Sequence, residues 1–426
     1  MRKPWLLFLL PLFIQPAHII STEKVSKSTL LEQYQFSPQN YGLYYKDILK
    51  NPAVYQDLLV YQDRELTKPA GLIKKDQVFK TQSFDVNNAG VPVFELSNHT
   101  FVQADSNLIY DDQVYSVKKM EARFWTKPGF TMYESPYVIG VKTKKSSIDA
   151  YKEVFIEEIA DTANGTYAKI KGDGWILLDF LSDQDTRIDQ VQQLLNEKYN
   201  LPNVSIYVKQ LDTGQTAGIQ EDKKMYAASV LKLAFLYASQ EGIHQGHVKE
   251  NQSLKYIKEV NDAVGAYDPE GSGSLPKEAD NKEYTLSDVI NRVAKESDNV
   301  GSNLLNYYIA KQSDKDFQAN LMKLAGEKWD VEERDASSKM AGQLMEAIYR
   351  QNGRVIDSLS QTNFDDQRIS KNIPDKVAHK IGDADDFRHD VAIVYAKTPF
   401  ILSIFTEHAS YEDITAIADL VYGVYK

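Results

Sequence analysis

The sequence predicts a multidomain chain in which two small all-β modules precede one larger α/β (α+β) domain. Between about Val54 and Leu181, short runs rich in Tyr, Phe, Val and Ile are broken by Pro, Gly and Asn, the pattern of small sheets with tight turns. From Ile188 onward, helical apolar spacing takes over. Alternating strand patterns return at both ends of that last region, at Val204–Val208 and Phe400–Phe405, which predicts one mixed sheet assembled from its two termini with helices between.

Composition narrows the function before any motif is read. A chain of 426 residues is long enough for two or three domains with real cores. The net charge of -11 argues against a nucleic-acid surface. No cysteine is present, so disulfides, thiolate metal sites and cysteine nucleophiles are excluded together. His244 and His247 form the only close histidine pair, without a carboxylate at ligand spacing, so no metal and no cofactor are expected.

Arg2 and Lys3 precede the apolar run Trp5–Ile14, a pattern that suits a secretory signal over residues 1–20 and is too short for a comfortable membrane span. Gln15–Thr22 offers no clean small-x-small cleavage site, so an uncleaved tether stays open. Export of a cysteine-free chain fits a bacterium with a thick wall. Residues 21–53 are polar and without clear period, a spacer with room for one short helix.

The β-rich region reads as two halves, 54–115 and 116–183. Tyr61, Gly71, Asn88-Ala-Gly90, Phe94 and Phe101 in the first are echoed by Tyr133, Gly140, Asn164-Gly165, Tyr167 and Gly174-Trp175 in the second, which suggests a tandem duplication. With Thr126-Lys-Pro128, Tyr133, Asn164-Gly-Thr-Tyr167 and Gly174-Trp175, the second half resembles the SH3-like GW modules of secreted wall-binding proteins. The first half has Thr100-Phe101 at the place of Gly-Trp. The resemblance implies attachment to a cell-wall polymer, peptidoglycan or teichoic acid. The competing reading is a pair of spacer domains.

The larger domain, 186–426, opens with a helix through Ile188, Val191, Leu194 and Leu195, followed by a strand at Val204–Val208, a turn at Asp212-Thr-Gly214 and a strand at Thr216–Ile219. A helix is expected to start near Ser229, buried through Leu231, Phe235 and Ala238. It places Lys232 one turn beyond Ser229 on the same face. A serine hydroxyl needs a neighbouring base, and a lysine serves if burial or positive surroundings depress its pKa. Gly271-Ser-Gly-Ser274 reads as a flexible loop. An amphipathic helix opens at Thr285, Ser297-Asp-Asn299 follows it, and Lys380-Ile-Gly382 comes just before a strand at Val391.

Ser-x-x-Lys, Ser-Asp-Asn and Lys-x-Gly in this order resemble the three elements of class A β-lactamases and penicillin-binding proteins. The resemblance implies a β-lactamase/transpeptidase-like fold and a serine hydrolase. Ser229 would be the acylated nucleophile, Lys232 its base, Ser297 a proton relay to the leaving group, and Lys380 a positive charge in the site. Asn299 would hold the substrate amide, Gly382 would admit the substrate backbone, and the N–H groups of Ser229 and Asp383 would form the oxyanion hole. Arg388 or Lys380 would have to offset the negative loop at Asp383, Asp385 and Asp386. Two departures stand out: Ile381 replaces the usual hydroxyl residue, and Leu324–Ser338 keeps the closing Arg334-Asp335 pair without the Glu-x-x-Leu-Asn motif that positions a deacylating water. The expected activity is acyl transfer on a wall peptide, a D-alanyl ester or a β-lactam. The alternatives are a true class A β-lactamase and a non-catalytic wall-binding scaffold.

Overall fold

The computed structural model describes residues 43–311, 314–329 and 333–426; the signal segment and most of the spacer lie outside the described residues. The described residues form two compact units: those within 43–120, 131–145 and 157–178 make the first, and those within 121–130, 146–156 and 179–426 make the second.

In the first unit, Pro69–Ile73, Leu58–Tyr61, Phe101–Gln103, Pro92–Leu96 and Thr81–Val86 form a five-stranded sheet in that spatial order. Phe94 is fully buried in its core, and Tyr61 pairs with Phe101. Further along, Trp175 packs with Tyr167 and Ala160, against Tyr133 and Tyr137. A side chain at Gly174 would lie 2.4 Å from the Tyr133 carbonyl, so only glycine lets these strands close. Tyr133, Tyr167 and Trp175 of the second half therefore share one aromatic core.

The second unit holds a five-stranded sheet in the order Thr216–Ile219, Val204–Gln210, Phe400–Glu407, Phe387–Val394, Val377–Ala384. Every pairing is antiparallel. This corrects the mixed sheet expected from sequence: its neighbouring strands are joined by hairpins, and one long helical excursion carries the chain from one edge, Thr216–Ile219, to the other, Val377–Ala384. The strand Val377–Ala384 was not anticipated; it forms the sheet's edge and carries Lys380.

Alternation of side chains divides the core. Ile206, Val208, Ala392, Val394, Phe400, Leu402 and Ile404 pack on one face with the helices Arg187–Tyr199 and Tyr411–Tyr425. Tyr207, Val391, Ile393, Ile401 and Phe405 face the helical layer, where Leu231, Phe235 and Leu236 sit. Burial on both faces explains why Phe400–Phe405 reads as a nearly continuous apolar run. Each buried branched or aromatic side chain contributes about 1.5–3 kcal/mol of transfer free energy. The site lies between the helical layer and the edge strand.

Candidate active site

The serine helix begins as a 3-10 turn, Ala228–Leu231, and continues as an α-helix over Lys232–His244. Ala228 has φ 47°, a left-handed conformation that a Cβ makes unfavourable. The kink leaves Ser229 partly exposed while its neighbours Ala228, Val230 and Leu231 are buried. Ser229 thus stands at the start of a 13-residue helix, where the macrodipole favours negative charge.

Lys232 is completely buried. Its Nζ donates to the Ser297 carbonyl at 2.5 Å and to Asn299 Oδ1 at 2.6 Å, with Ser297 Oγ at 3.3 Å. It also lies 4.5 Å from the centre of the Tyr267 ring. Burial first, and the nearby Lys380 second, hold its pKa well below the usual lysine value. A neutral amine has two N–H bonds and one lone pair. The two short contacts engage the N–H bonds and leave the lone pair for a hydroxyl.

Lys380 Nζ donates to Ser297 Oγ at 2.8 Å and to the Ile381 carbonyl at 2.9 Å. Burial lowers its pKa to about 7; Asp390 pulls upward, Arg368 pushes further down, and Asp383 pulls upward. Ser297 therefore sits between two amines. It is itself in a left-handed conformation, φ 58°, held because the Lys232 amine and the Ser272 hydroxyl, at 2.7 Å, both donate to its carbonyl.

Asn299 was expected to hold a substrate amide. Its Oδ1 accepts from Lys232, its Nδ2 donates to the Asp268 carbonyl at 2.8 Å, and its N–H donates to the Ser272 carbonyl at 2.8 Å. In this arrangement it fixes the lysine. Gly382 lies against the serine turn: a Cβ there would be 2.8 Å from the Ala227 carbonyl and 3.0 Å from Val230 Cγ2. The missing Cβ lets the edge-strand backbone at Gly382 close on Ala227 and Val230, which flank the serine turn.

The charge balance at Asp383 differs from expectation. Its carboxylate pairs with Arg368, a fully buried guanidinium stacked on the Tyr411 ring, and Arg388 Nε lies farther off at 3.7 Å. The main compensating cation is thus neither Arg388 nor Lys380. Arg388 Nη1 donates to the Asp385 and Phe387 carbonyls.

Several contributors escaped the sequence reading. The glycine-serine run is a built wall, not the flexible loop expected: a Cβ on Gly273 (φ 110°) would fall 2.2 Å from Asp298, whose Oδ2 accepts from the N–H groups of Ser274 and Leu275 and whose Oδ1 accepts from Gly301. The small, closely spaced glycines were the available signal. Tyr267 is buried between Lys232 and Arg334, donating to the Ala228 carbonyl at 3.2 Å. Arg334 donates to the Ala266 carbonyl at 2.9 Å. Behind Lys380, the buried His379 bridges Asp390 and Asp365; burial opposes its charge, yet the two carboxylates raise its pKa to about 9. Among the described residues, no group of three or more His, Cys, Asp or Glu could hold a metal ion.

No curated protein matches the chain. Similar solved structures include PBP-A, 19% identical over 56% of this chain and 96% of its own, with a TM-score of 0.46. A β-lactamase from Chitinophaga pinensis is 18% identical over 56% and 100%, TM-score 0.46. One from Sphaerobacter thermophilus is 17% identical over 56% and 97%, TM-score 0.44. Residues 186–426, more than half of the chain, match the sequence model of the β-lactamase enzyme family, and the chain belongs to that family.

Proposed function

We propose that this protein is an exported, wall-associated serine hydrolase that works through an acyl-enzyme on Ser229. One observation carries the reading: two buried amines, Lys232 and Lys380, converge on Ser297, and Lys232 follows by three residues a partly exposed serine in the turn that opens its helix. In acylation the Ser229 Oγ–carbon bond forms as its proton passes to Lys232. The scissile carbon–nitrogen or carbon–oxygen bond then breaks, and the leaving group takes a proton through Ser297, with Lys380 balancing charge. Water returns the serine in the second step.

That second step is slow on this reading. Among the described residues, the one carboxylate hydrogen-bonded within the cluster is Asp298, and three backbone N–H groups hold it in the wall formed by Gly273, Ser274 and Leu275. Its role there is structural. This supports a penicillin-binding-protein-like enzyme over a true β-lactamase. The scaffold alternative leaves the pair of lysines buried at one serine without a reason. Export and wall association rest on the basic-apolar segment at the N-terminus and the Gly174-Trp175 module. The structure of PBP-A as an acyl-enzyme with penicillin G makes β-lactams reasonable probes.

The test is intact-protein mass after saturating benzylpenicillin and removal of excess drug. The expected result is one adduct on Ser229 lasting hours and none on Ser229→Ala. Rapid catalytic loss of drug without an adduct would restore the β-lactamase reading.

A further inference from the structure

On the face of the sheet opposite the serine helix lies an open cleft of about 500 Å³, its wall built by Trp125, Asp183, Asp185, Arg187, Gln210 and Asp212 among others. Gln210 ends the strand Val204–Gln210. It alternates with Ile206 and Val208, so its side chain points toward the layer of the helices Arg187–Tyr199 and Tyr411–Tyr425. Only 1% of Gln210 is exposed. Its Nε2 donates to Asp185 Oδ2 at 2.8 Å, and this fixes the orientation of the amide, because an ionised carboxylate only accepts. The buried Oε1 is then the atom left over, and it has no partner. A buried acceptor without a donor is costly, and a ligand that supplies the donor recovers that cost.

The charges of the cleft decide which donor fits. Its one cation, Arg187, is already engaged: Nε and Nη2 bind Asp185 at 3.0 Å and 2.6 Å, and Nη2 also donates to Thr398 Oγ1 at 2.6 Å. The guanidinium lies over the Trp125 ring at 4.8 Å and the Tyr425 ring at 5.4 Å. Trp125 itself stays partly exposed. Among the described residues, the exposed carboxylates of Asp183 and Asp212 have no side-chain partner. The cleft therefore offers two free carboxylates, one buried amide oxygen and part of an indole. All of these attract a cation with N–H bonds, the carboxylates by charge, the amide by accepting and the indole by its π-face. An anionic ligand would be repelled by the same groups. We infer that this cleft binds a protonated primary alkyl amine, of the kind carried by a lysine side chain or the amino terminus of a peptide. The site is independent of the Ser229 reading above.

The experiment titrates the full chain, carrying isotope-labelled tryptophan, with n-butylammonium, tetramethylammonium and n-butanol at constant ionic strength. The indole N–H signal of Trp125 is identified by its loss in Trp125→Phe. n-Butylammonium should move that signal saturably, with half-saturation at about 1–10 mM, and leave the other indole signals in place. n-Butanol, of the same shape without charge, should not move it. Tetramethylammonium has charge but no N–H for Gln210 Oε1, so it should bind at least about threefold more weakly. In the double variant Asp183→Asn, Asp212→Asn, whose changes are on the surface, half-saturation by n-butylammonium should rise at least about fivefold. In Gln210→Met it should rise to the tetramethylammonium level. A shift that does not saturate, an equal response to n-butanol, or an unchanged half-saturation in the double variant would overturn the inference. Equal binding of the two cations would remove the Gln210 contact and with it the assignment to a primary amine.

Discussion

Lys380 is held between opposing forces, and its titration should be visible in the reaction. Burial brings its pKa to about 7, with Asp390 the strongest influence upward. Acylation that needs Lys232 neutral and Lys380 charged should rise with pH through the depressed Lys232 pKa and fall above about 7. In Lys380→Arg the charge no longer titrates, so the falling limb should disappear from the fluorophosphonate labelling profile. In Asp390→Asn the upward pull is lost and the limb should move to lower pH; a limb that stays in place would show that Asp390 only supports the fold. Stability carries the same groups with opposite signs. The folded Lys380 pKa lies below its unfolded value, so its contribution improves as pH rises from about 7 toward 10.5. His379, raised to about 9, contributes fully below about 6.5 and loses that contribution as pH rises through 9. Between 7 and 9 the two offset each other, which makes activity the better readout. At this scale the sequence was informative where residues repeat a known order: Lys232 and Lys380, far apart in the chain, both reach Ser297. Tyr267, Arg368 and Asp390 were illegible, because burial and partnership across 39, 15 and 11 residues of chain leave no local pattern.

Two elements meet at the site through glycine. The edge strand reaches the serine turn because Gly382 has no side chain to hold it off, with the Ala227 carbonyl and Val230 in the way of any Cβ. Gly382→Ala should displace the strand and slow acylation of Ser229 by a fluorophosphonate at least about tenfold, with a stability loss of about 1–3 kcal/mol from overpacking. The measurement is labelling rate together with denaturant midpoint; unchanged labelling would show that the strand's approach is not needed. The helix after Thr285 was legible at its start, where the Thr285 side chain accepts from the Asp288 N–H. The edge strand was not legible, because Lys380-Ile-Gly-Asp383 mixes a buried cation, a glycine and an acid, and none of these has strand propensity. The Gly271–Ser274 wall was misread for a related reason: its order comes from Asp298 and Asn299, not from its own composition.

Across the whole molecule, the family match and the compact unit have different edges. The match begins at residue 186, but the second unit also takes in 121–130 and 146–156. Thr186 Oγ1 donates to the Thr126 carbonyl at 2.9 Å, the Tyr151 hydroxyl donates to Gln193 at 2.9 Å, and the Arg187 guanidinium lies 4.8 Å from the Trp125 ring centre. A fragment of residues 186–426 loses all three contacts. If they contribute about 1–2 kcal/mol in sum, its transition should fall by about 2–8 °C relative to that of the same unit in the full chain. Scanning calorimetry of both proteins checks this, and equal midpoints would mean that the preceding strands do not stabilise the domain. The change from strand-rich to helix-rich composition was visible in the sequence; this interleaving was not, since it depends on long-range packing. The account as a whole stands on Ser229 activated by Lys232. Its most direct test is intact-mass and peptide mapping after fluorophosphonate treatment of the native chain, Ser229→Ala and Lys232→Ala. One adduct confined to Ser229, absent from the first variant and formed at least about a hundredfold more slowly in the second, is the predicted result. Equal labelling of Lys232→Ala, or an adduct on any other residue, would contradict it.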